Sequence, residues 1–234
     1  MANISVQIKP TGVQDKYLID LMYMLQQSMY GLCLKLDTDA SAGTGYRAAC
    51  YTAIFREQIW DYRGNKTQNV TVCDYIITPA SGLPAAALIQ WIYDYVNAFE
   101  TLAEACDTDG LNTSDYEDNC FHACILPFMV EDKTGAILGN DVSTGGITGV
   151  DTGGPPWRLS KIGPIGKPSD RMLVDIFYSF LNAWETLCEQ LDVDAVTTPP
   201  TDTDYEALWY TATVLMKVEN SSGSVLGNAQ TRLG

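Results

Sequence analysis

The residues whose type and spacing could bind a ligand are three Asp-x-Asp pairs. They are Asp37 and Asp39, Asp107 and Asp109, and Asp192 and Asp194. Each pair is predicted to follow a helix, where a carboxylate opposes the helix dipole, so its presence calls for an explanation. One explanation is Ca²⁺, because Asp107, Asp109 and Asn112 offer side-chain oxygens in a turn-like order. The explanation we favour is that these acids form Asx-turns and face water, since a Ca²⁺ site needs about six oxygens or more.

Catalytic chemistry has little support in the sequence. The chain has one histidine, His122, and a Ser-His-Asp or Cys-His device would have to use it. This residue is predicted in the middle of a strand, which favours a structural role. The sequence contains neither a Gly-x-Ser-x-Gly turn nor a Walker phosphate loop. It therefore predicts no catalytic residue and no cofactor other than Ca²⁺, and the chain is predicted not to be an enzyme.

The Asp-x-Asp pairs are positioned by a pattern that occurs three times. Residues 88–102 and 173–187 both end in Asn-Ala-aromatic-Glu-Thr-Leu, and residues 18–32 form a weaker copy. The copies lie 70 residues apart (107 − 37) and then 85 apart (192 − 107). In the third copy, apolar residues recur at spacings of three and four after the N-cap pair Ser169-Asp170. This pattern predicts an amphipathic helix of about 20 residues.

Strands are predicted on both sides of each helix. A short apolar segment and a proline precede each one, at residues 6–10, 75–79 and 159–164. After the third helix and a polar loop at 193–204, residues 208–218 alternate apolar and polar side chains, and a turn at 219–223 leads to a return strand. By alignment, Cys50 and Cys120 are expected in strands, and the first copy is expected to turn near residues 63–66.

The fold class that follows is α+β, with three tandem copies of a strand–helix–hairpin unit. Internal pseudo-threefold symmetry is the expected arrangement, and a linear stack is the alternative. The units are predicted at 1–74, 75–140 and 159–234, with a Gly/Thr-rich insertion or arm at 141–158. The alignment places Met29, Phe99 and Trp184 at one position, where each is expected to be buried.

Composition narrows the classes of partner. The net charge of −15 disfavours nucleic acid and anionic membranes, and no run of Lys or Arg offsets it. The start of the chain lacks the layout of a signal peptide, and no apolar stretch is long enough to span a membrane. The seven cysteines are expected to be reduced, most of them buried. A virion or cytoplasmic location is therefore expected.

The sequence favours a structural or assembly role, because its repeated residues build helices and strands and its variable residues lie in loops. In construction it resembles accessory structural proteins of viruses and tailed phages. That resemblance implies a capsid decoration, cement or minor structural protein whose partners are the protein subunits of a larger particle. The alternatives are a small-molecule or carbohydrate-binding module that uses its tryptophans, and an acidic mimic of nucleic acid.

Overall fold

The computed structural model describes residues 6–8, 13–39, 45–52, 56–67, 73–108, 116, 128–130, 134, 160–162, 168–194 and 216–218. The helices are α1 (Asp15–Asp39), α2 (Ala85–Thr108) and α3 (Asp170–Asp194), and a short π-helical segment spans Arg47–Thr52. The strands are β1 (Val6–Ile8), β2 (Glu57–Ile59), β3 (Tyr75–Ile77), β4 (Phe128–Val130), β5 (Ser160–Ile162) and β6 (Met216–Val218). The fold is α+β in kind, and its described part is mostly helical.

The predicted helix start at Ser169 is confirmed. The Ser169 hydroxyl accepts a hydrogen bond from the backbone N–H of Met172 at 3.3 Å, as an N-cap does. Helix α3 then runs for 25 residues, longer than the expected 20, and it includes the start of the predicted polar loop. The prediction that the Asp-x-Asp pairs follow the helices is wrong. The last turns of α1 and α3 contain both aspartates of their pairs, and the last turn of α2 contains Asp107, the first of its pair. Thr38 and Thr108 help to extend α1 and α2, since each hydroxyl donates to the carbonyl four residues earlier.

The six strands form three parallel pairs. Strand β2, which follows α1, pairs with β3, which precedes α2. Strand β4, which follows α2, pairs with β5, which precedes α3. Strand β6 follows α3 and pairs with β1, at the beginning of the described chain. The strands predicted before each helix are therefore confirmed, and the last pair connects the end of the described chain to its start.

The core lies between the three helices. Three ring pairs join α2 to α3, with centroid distances of 5.7 Å for Trp91 and Phe177, 4.8 Å for Tyr95 and Phe180, and 5.8 Å for Phe99 and Trp184. Since residue numbers rise together along both helices, α2 and α3 are parallel. Burial raises the pKa of Tyr95 well above its ordinary value, and Cys188 of α3 and Cys33 of α1 raise it further. All three helices therefore meet around Tyr95.

The predicted burial of Met29, Phe99 and Trp184 is confirmed, since each is 0% exposed. Trp91 is also buried, so neither it nor Trp184 offers a surface on which a sugar could stack. The five described cysteines are free thiols, of which only Cys73 is exposed. No helix in the described part of the chain is long and apolar enough to cross a membrane.

The prediction of a strand at Cys50 is wrong, because this residue lies in the π-helical segment. The carboxylate of Asp37 accepts hydrogen bonds from the backbone N–H groups of Tyr46 and Arg47, which caps the start of that segment. Cys50 is buried and hydrogen bonds with Cys33 of α1. The strand follows later, as β2, and the turn predicted near residues 63–66 is confirmed by Gly64, whose φ is +85°.

Candidate functional site

The first carboxylate of each of the first two Asp-x-Asp pairs has a structural role. Oδ1 of Asp37 accepts a hydrogen bond from the backbone N–H of Tyr46 at 2.6 Å. Oδ1 of Asp107 accepts one from the backbone N–H of Tyr116 at 2.7 Å. In both cases the acceptor and donor are nine residues apart, and the tyrosine is buried. The acids therefore fix the chain that leaves each helix, which accounts for carboxylates at the unfavourable end of a helix dipole.

Calcium binding at these pairs stays a prediction. Asp192 is half-buried in the last turn of α3, whereas Asp109 and the side chains of Asp39 and Asp194 lie outside the described residues. Among the residues that the structure describes, no group of three or more His, Cys, Asp or Glu side chains could hold a metal ion. His122 and the Gly/Thr-rich segment 141–158 also lie outside the described residues. Calorimetry with millimolar Ca²⁺ tests the prediction directly.

We expect Asp37→Ala to lower the free energy of unfolding by about 1–2 kcal/mol, because the backbone N–H of Tyr46 would lose its acceptor. Asp37→Asn is the matched control, since its amide oxygen can still accept that hydrogen bond, and it should cost less than the alanine variant. Urea unfolding followed by circular dichroism measures both. Equal stability of Asp37→Ala and the wild type would contradict the capping role.

Two further aspartates join the helix starts to neighbouring segments. Oδ2 of Asp15, in the first turn of α1, accepts a hydrogen bond from the backbone N–H of Leu83 at 3.3 Å. Oδ2 of Asp170, in the first turn of α3, accepts one from the backbone N–H of Val13, also at 3.3 Å. Carboxylates at these N-termini also favour the helix dipole. Each hydrogen bond therefore ties the start of one helix to the segment that leads into another.

The outer side of the β2–β3 pair is the most exposed apolar surface among the described residues. Glu57 and Ile59 are buried beneath β2, so the alternate side chains face outward. We call this surface the ribbon face, and it consists of Arg56, Gln58, Trp60, Tyr62, Asp74 and Ile76. Ile76 is 63% exposed and Tyr62 is 53% exposed, whereas most large apolar side chains of the described chain are buried. Ile76 and Tyr62 are the two most exposed large apolar side chains among the described residues, and both belong to this face.

Positive charge surrounds the aromatic end of the ribbon face. Lys16 Nζ and the Arg63 guanidinium carbon each lie 5.1 Å from the centroid of the Tyr62 ring. The Arg63 Nε–H also donates to the Tyr62 hydroxyl at 2.7 Å. The backbone N–H of Tyr62 donates to Asp20 of α1 at 2.8 Å, so the turn is anchored to that helix. The ribbon face therefore combines exposed apolar side chains with two cations held in place.

The charge of the chain is unevenly distributed along the sequence. Residues 1–74 contain seven bases and seven acids, whereas residues 75–140 contain one base and ten acids. The bases nearest the ribbon face, Lys16, Arg56, Arg63 and Lys66, are all exposed. Half of the 14 bases of the chain therefore lie in residues 1–74, which contribute β2 to the ribbon face, although the net charge of the whole chain is −15.

The alignment of the copies predicts a strand around Cys50 and a turn near residues 63–66, but it does not predict the ribbon face. Fifteen residues, 60–74, separate β2 from its parallel partner β3, so no tight turn indicates the pairing. Comparisons of the chain with protein-family models, with curated proteins and with solved structures give no match.

Proposed function

We propose that this chain is a structural assembly protein, an accessory component of a virion, whose three repeated units surround a pseudo-threefold axis. The observation that carries the proposal is the cyclic order of the strand pairs. Each pair joins the strand after one helix to the strand before the next helix, and the β6–β1 pair completes the ring. A linear stack of units would leave β1 and β6 at opposite ends.

The hydrogen bonds at the helix starts support the same arrangement. Asp15 of the first unit accepts from Leu83 of the second, and Asp170 of the third accepts from Val13 of the first. At the remaining position, between the second and third units, Ala85 replaces the acceptor and Pro168 replaces the donor. We call each of these contacts between a helix start and the neighbouring unit a joint. Both partners are thus replaced at the same joint, as expected if the three positions are equivalent.

The core contacts also follow the proposed axis. Tyr95 and Phe180 occupy equivalent positions of the second and third copies, as do Phe99 and Trp184, and each pair is in ring contact. Side chains at equivalent positions touch one another only close to a rotation axis. The first copy contributes the smaller Leu25 and Met29, which are also buried. The helices therefore form the centre of the proposed arrangement, with the strand pairs outside.

A monomer of this shape can occupy a threefold position in a lattice that a homotrimer would otherwise fill. Its first two units differ in charge, so such a monomer can present different surfaces to its neighbours. We propose that the ribbon face binds a neighbouring protein subunit through an apolar patch with carboxylates around it. The exposed Ile76 and Tyr62 would supply apolar area, and Lys16 and Arg63 would pair with the carboxylates.

Co-sedimentation with particles from the producing cells tests this function. We expect wild-type protein to sediment with a large particle, and the double variant Tyr62→Asp/Ile76→Asp to be incorporated at least about tenfold less, because both anchors become acidic. Leu34→Asp is the matched control, since Leu34 is 42% exposed on α1 and outside the ribbon face, and it should be incorporated like wild type. Circular dichroism checks that each variant is folded.

Thiol labelling locates the contact independently. Cys73 is exposed beside the ribbon face, whereas Cys33, Cys50, Cys106 and Cys188 are buried and serve as internal controls. Because burial raises the pKa of the Cys73 thiol, maleimide labelling is best done near pH ~8.5 and mapped by mass spectrometry. We expect Cys73 to react in the free protein and to be protected in the particle. A wild-type chain that never sediments with a particle, and turns over a substrate as a free monomer, would overturn the proposed function.

A further inference from the structure

Two carboxyl groups face each other beneath the ribbon face. Glu57 points inward from β2 and is 0% exposed, and Asp94 lies on α2 and is 4% exposed. Both carboxyl oxygens of Glu57 are buried away from water, and the Asp94 carboxyl lies close enough to Glu57 to raise its pKa through charge and hydrogen bonding. A carboxylate can only accept a hydrogen bond, so two buried carboxyl groups this close are compatible only when one of them holds a proton. A single shared proton would therefore join β2 to α2.

The polar side chains that reach the pair from the helices are neutral amides rather than cations. The Gln90 Nε2–H donates to Oδ1 of Asp94 at 3.0 Å, and the Gln26 Nε2–H of α1 donates to the Glu57 backbone carbonyl at 3.4 Å. Arg56, next to Glu57 in the chain, faces outward, where its guanidinium lies 4.0 Å from the Asp74 carboxylate. The segment before β3 contributes the Cys73 thiol, whose own pKa is raised in part by the charge of Glu57.

Burial and the nearby Asp94 carboxylate, in that order, raise the pKa of Glu57 to about 9. If Glu57 were ionised, two negative charges would lie together in the core. Repulsion between them favours the state in which one member of the carboxyl pair stays protonated. The group is therefore protonated in the folded protein at neutral pH and ionised in the unfolded chain. The folded state binds one more proton than the unfolded state. The free energy of unfolding therefore falls as the pH rises from the pKa of Glu57 in the unfolded chain to its pKa in the folded protein.

We propose that Glu57 and Asp94 form a proton-dependent latch that holds the β2–β3 ribbon on α2 and opens as the pH is raised. The latch is a property of the fold and holds whether or not the ribbon face binds a subunit. We expect the ribbon to be released first, because Glu57 lies on a strand of three residues whereas Asp94 lies within the 24-residue α2. Loss of the proton would separate the ribbon from α2 while the aromatic contacts between α2 and α3 remain.

The test compares the wild type with Glu57→Gln, in which a neutral amide still donates to Asp94. Urea unfolding is measured between about pH 5 and 9. We expect the wild-type folding constant to fall more steeply than that of the variant, by up to about tenfold per pH unit, which corresponds to one proton. The two proteins should be similar near pH 5, and the variant should be the more stable near pH 9. Glu104→Gln, an exposed change on the same helix, should follow the wild type at every pH.

Hydrogen exchange resolves which element opens. We expect the amides of Trp60 and Ile59, which donate to Ile77 and Thr67, to lose protection first as the pH rises, after correction for the intrinsic exchange rate. Amides in the middle of α3 should stay protected over the same range. If Glu57→Gln does not fold, Glu57→Leu serves in its place, because it also removes the group that titrates. Parallel stability curves for the wild type and the folded variant, or equal loss of protection in the ribbon and α3, would overturn the latch.

Discussion

Replacing Trp184 with alanine is expected to lower the free energy of unfolding by about 3–5 kcal/mol. Trp184 is fully buried, and its ring lies 5.8 Å from that of Phe99 in an edge-on arrangement. The substitution removes the transfer free energy of the indole and leaves a cavity between α2 and α3, which two long helices can close only in part. For a chain of 234 residues, each kcal/mol corresponds to a melting shift of roughly 2–4 °C.

Asn182→Ala provides the control for this substitution. Asn182 lies on the same helix two residues earlier and is exposed, so its replacement should change stability by about 0.5 kcal/mol or less. Urea unfolding of the three proteins, with circular dichroism and tryptophan fluorescence as separate probes, gives the comparison. A loss below about 1 kcal/mol in Trp184→Ala would show that the contact between α2 and α3 is not part of the stable core.

A fragment of residues 75–158 is expected not to fold by itself, which is the second large effect. In the whole protein, 15 of the 24 residues of α2 are buried, and they contact both other helices. Both described strands of the fragment also lose their partners, because β3 pairs with β2 and β4 pairs with β5. A domain of this size buries little apolar surface even when complete. We expect low helix content and no cooperative melting transition.

A circular permutant of the full chain is the control for the fragment. It begins at residue 75, ends at residue 74, and connects residue 234 to residue 1. In the native pairing Val6 lies opposite Met216 and Ile8 opposite Val218, so residues 219–234 and 1–5 provide enough chain to connect these parallel strands. The permutant should melt cooperatively as one unit. Cooperative melting of the fragment alone would show that the middle segment is an independent domain.

The helices could be predicted from the sequence because their signals are local. Apolar spacings of three and four mark α3, and Ser169 marks its start by a hydrogen bond that spans only three residues. The strands before each helix were recognisable for the same reason. The π-helical segment at 47–52 was not, because its cap is Asp37, nine residues upstream of Tyr46. The parallel pairing of β1 with β6 joins segments about 210 residues apart (216 − 6), and no local pattern indicates it.

The buried carboxyl pair could not be predicted either, because its two members lie far apart in the sequence. Glu57 and Asp94 are 37 residues apart (94 − 57), and the equivalents of Asp94 in the other copies, Met24 and Ser179, are not acids. One signal was available, since Gln90 and Asp94 stand four residues apart in the mainly apolar first half of α2 and hydrogen bond with each other. Two polar residues within such a helix indicate a buried polar contact. They do not identify the partner, which only the packing of β2 against α2 reveals.

The joint at Ala85 and Pro168 has a consequence for how the chain can evolve. In a homotrimer one gene encodes all three joints, so a proline at this position would remove three hydrogen bonds at once. In a continuous chain each joint mutates separately, and the two hydrogen bonds from Leu83 to Asp15 and from Val13 to Asp170 remain. One joint could therefore diverge while the others kept the ring closed. Fusion of three units into one gene would therefore allow each joint to evolve contacts with a different neighbouring protein.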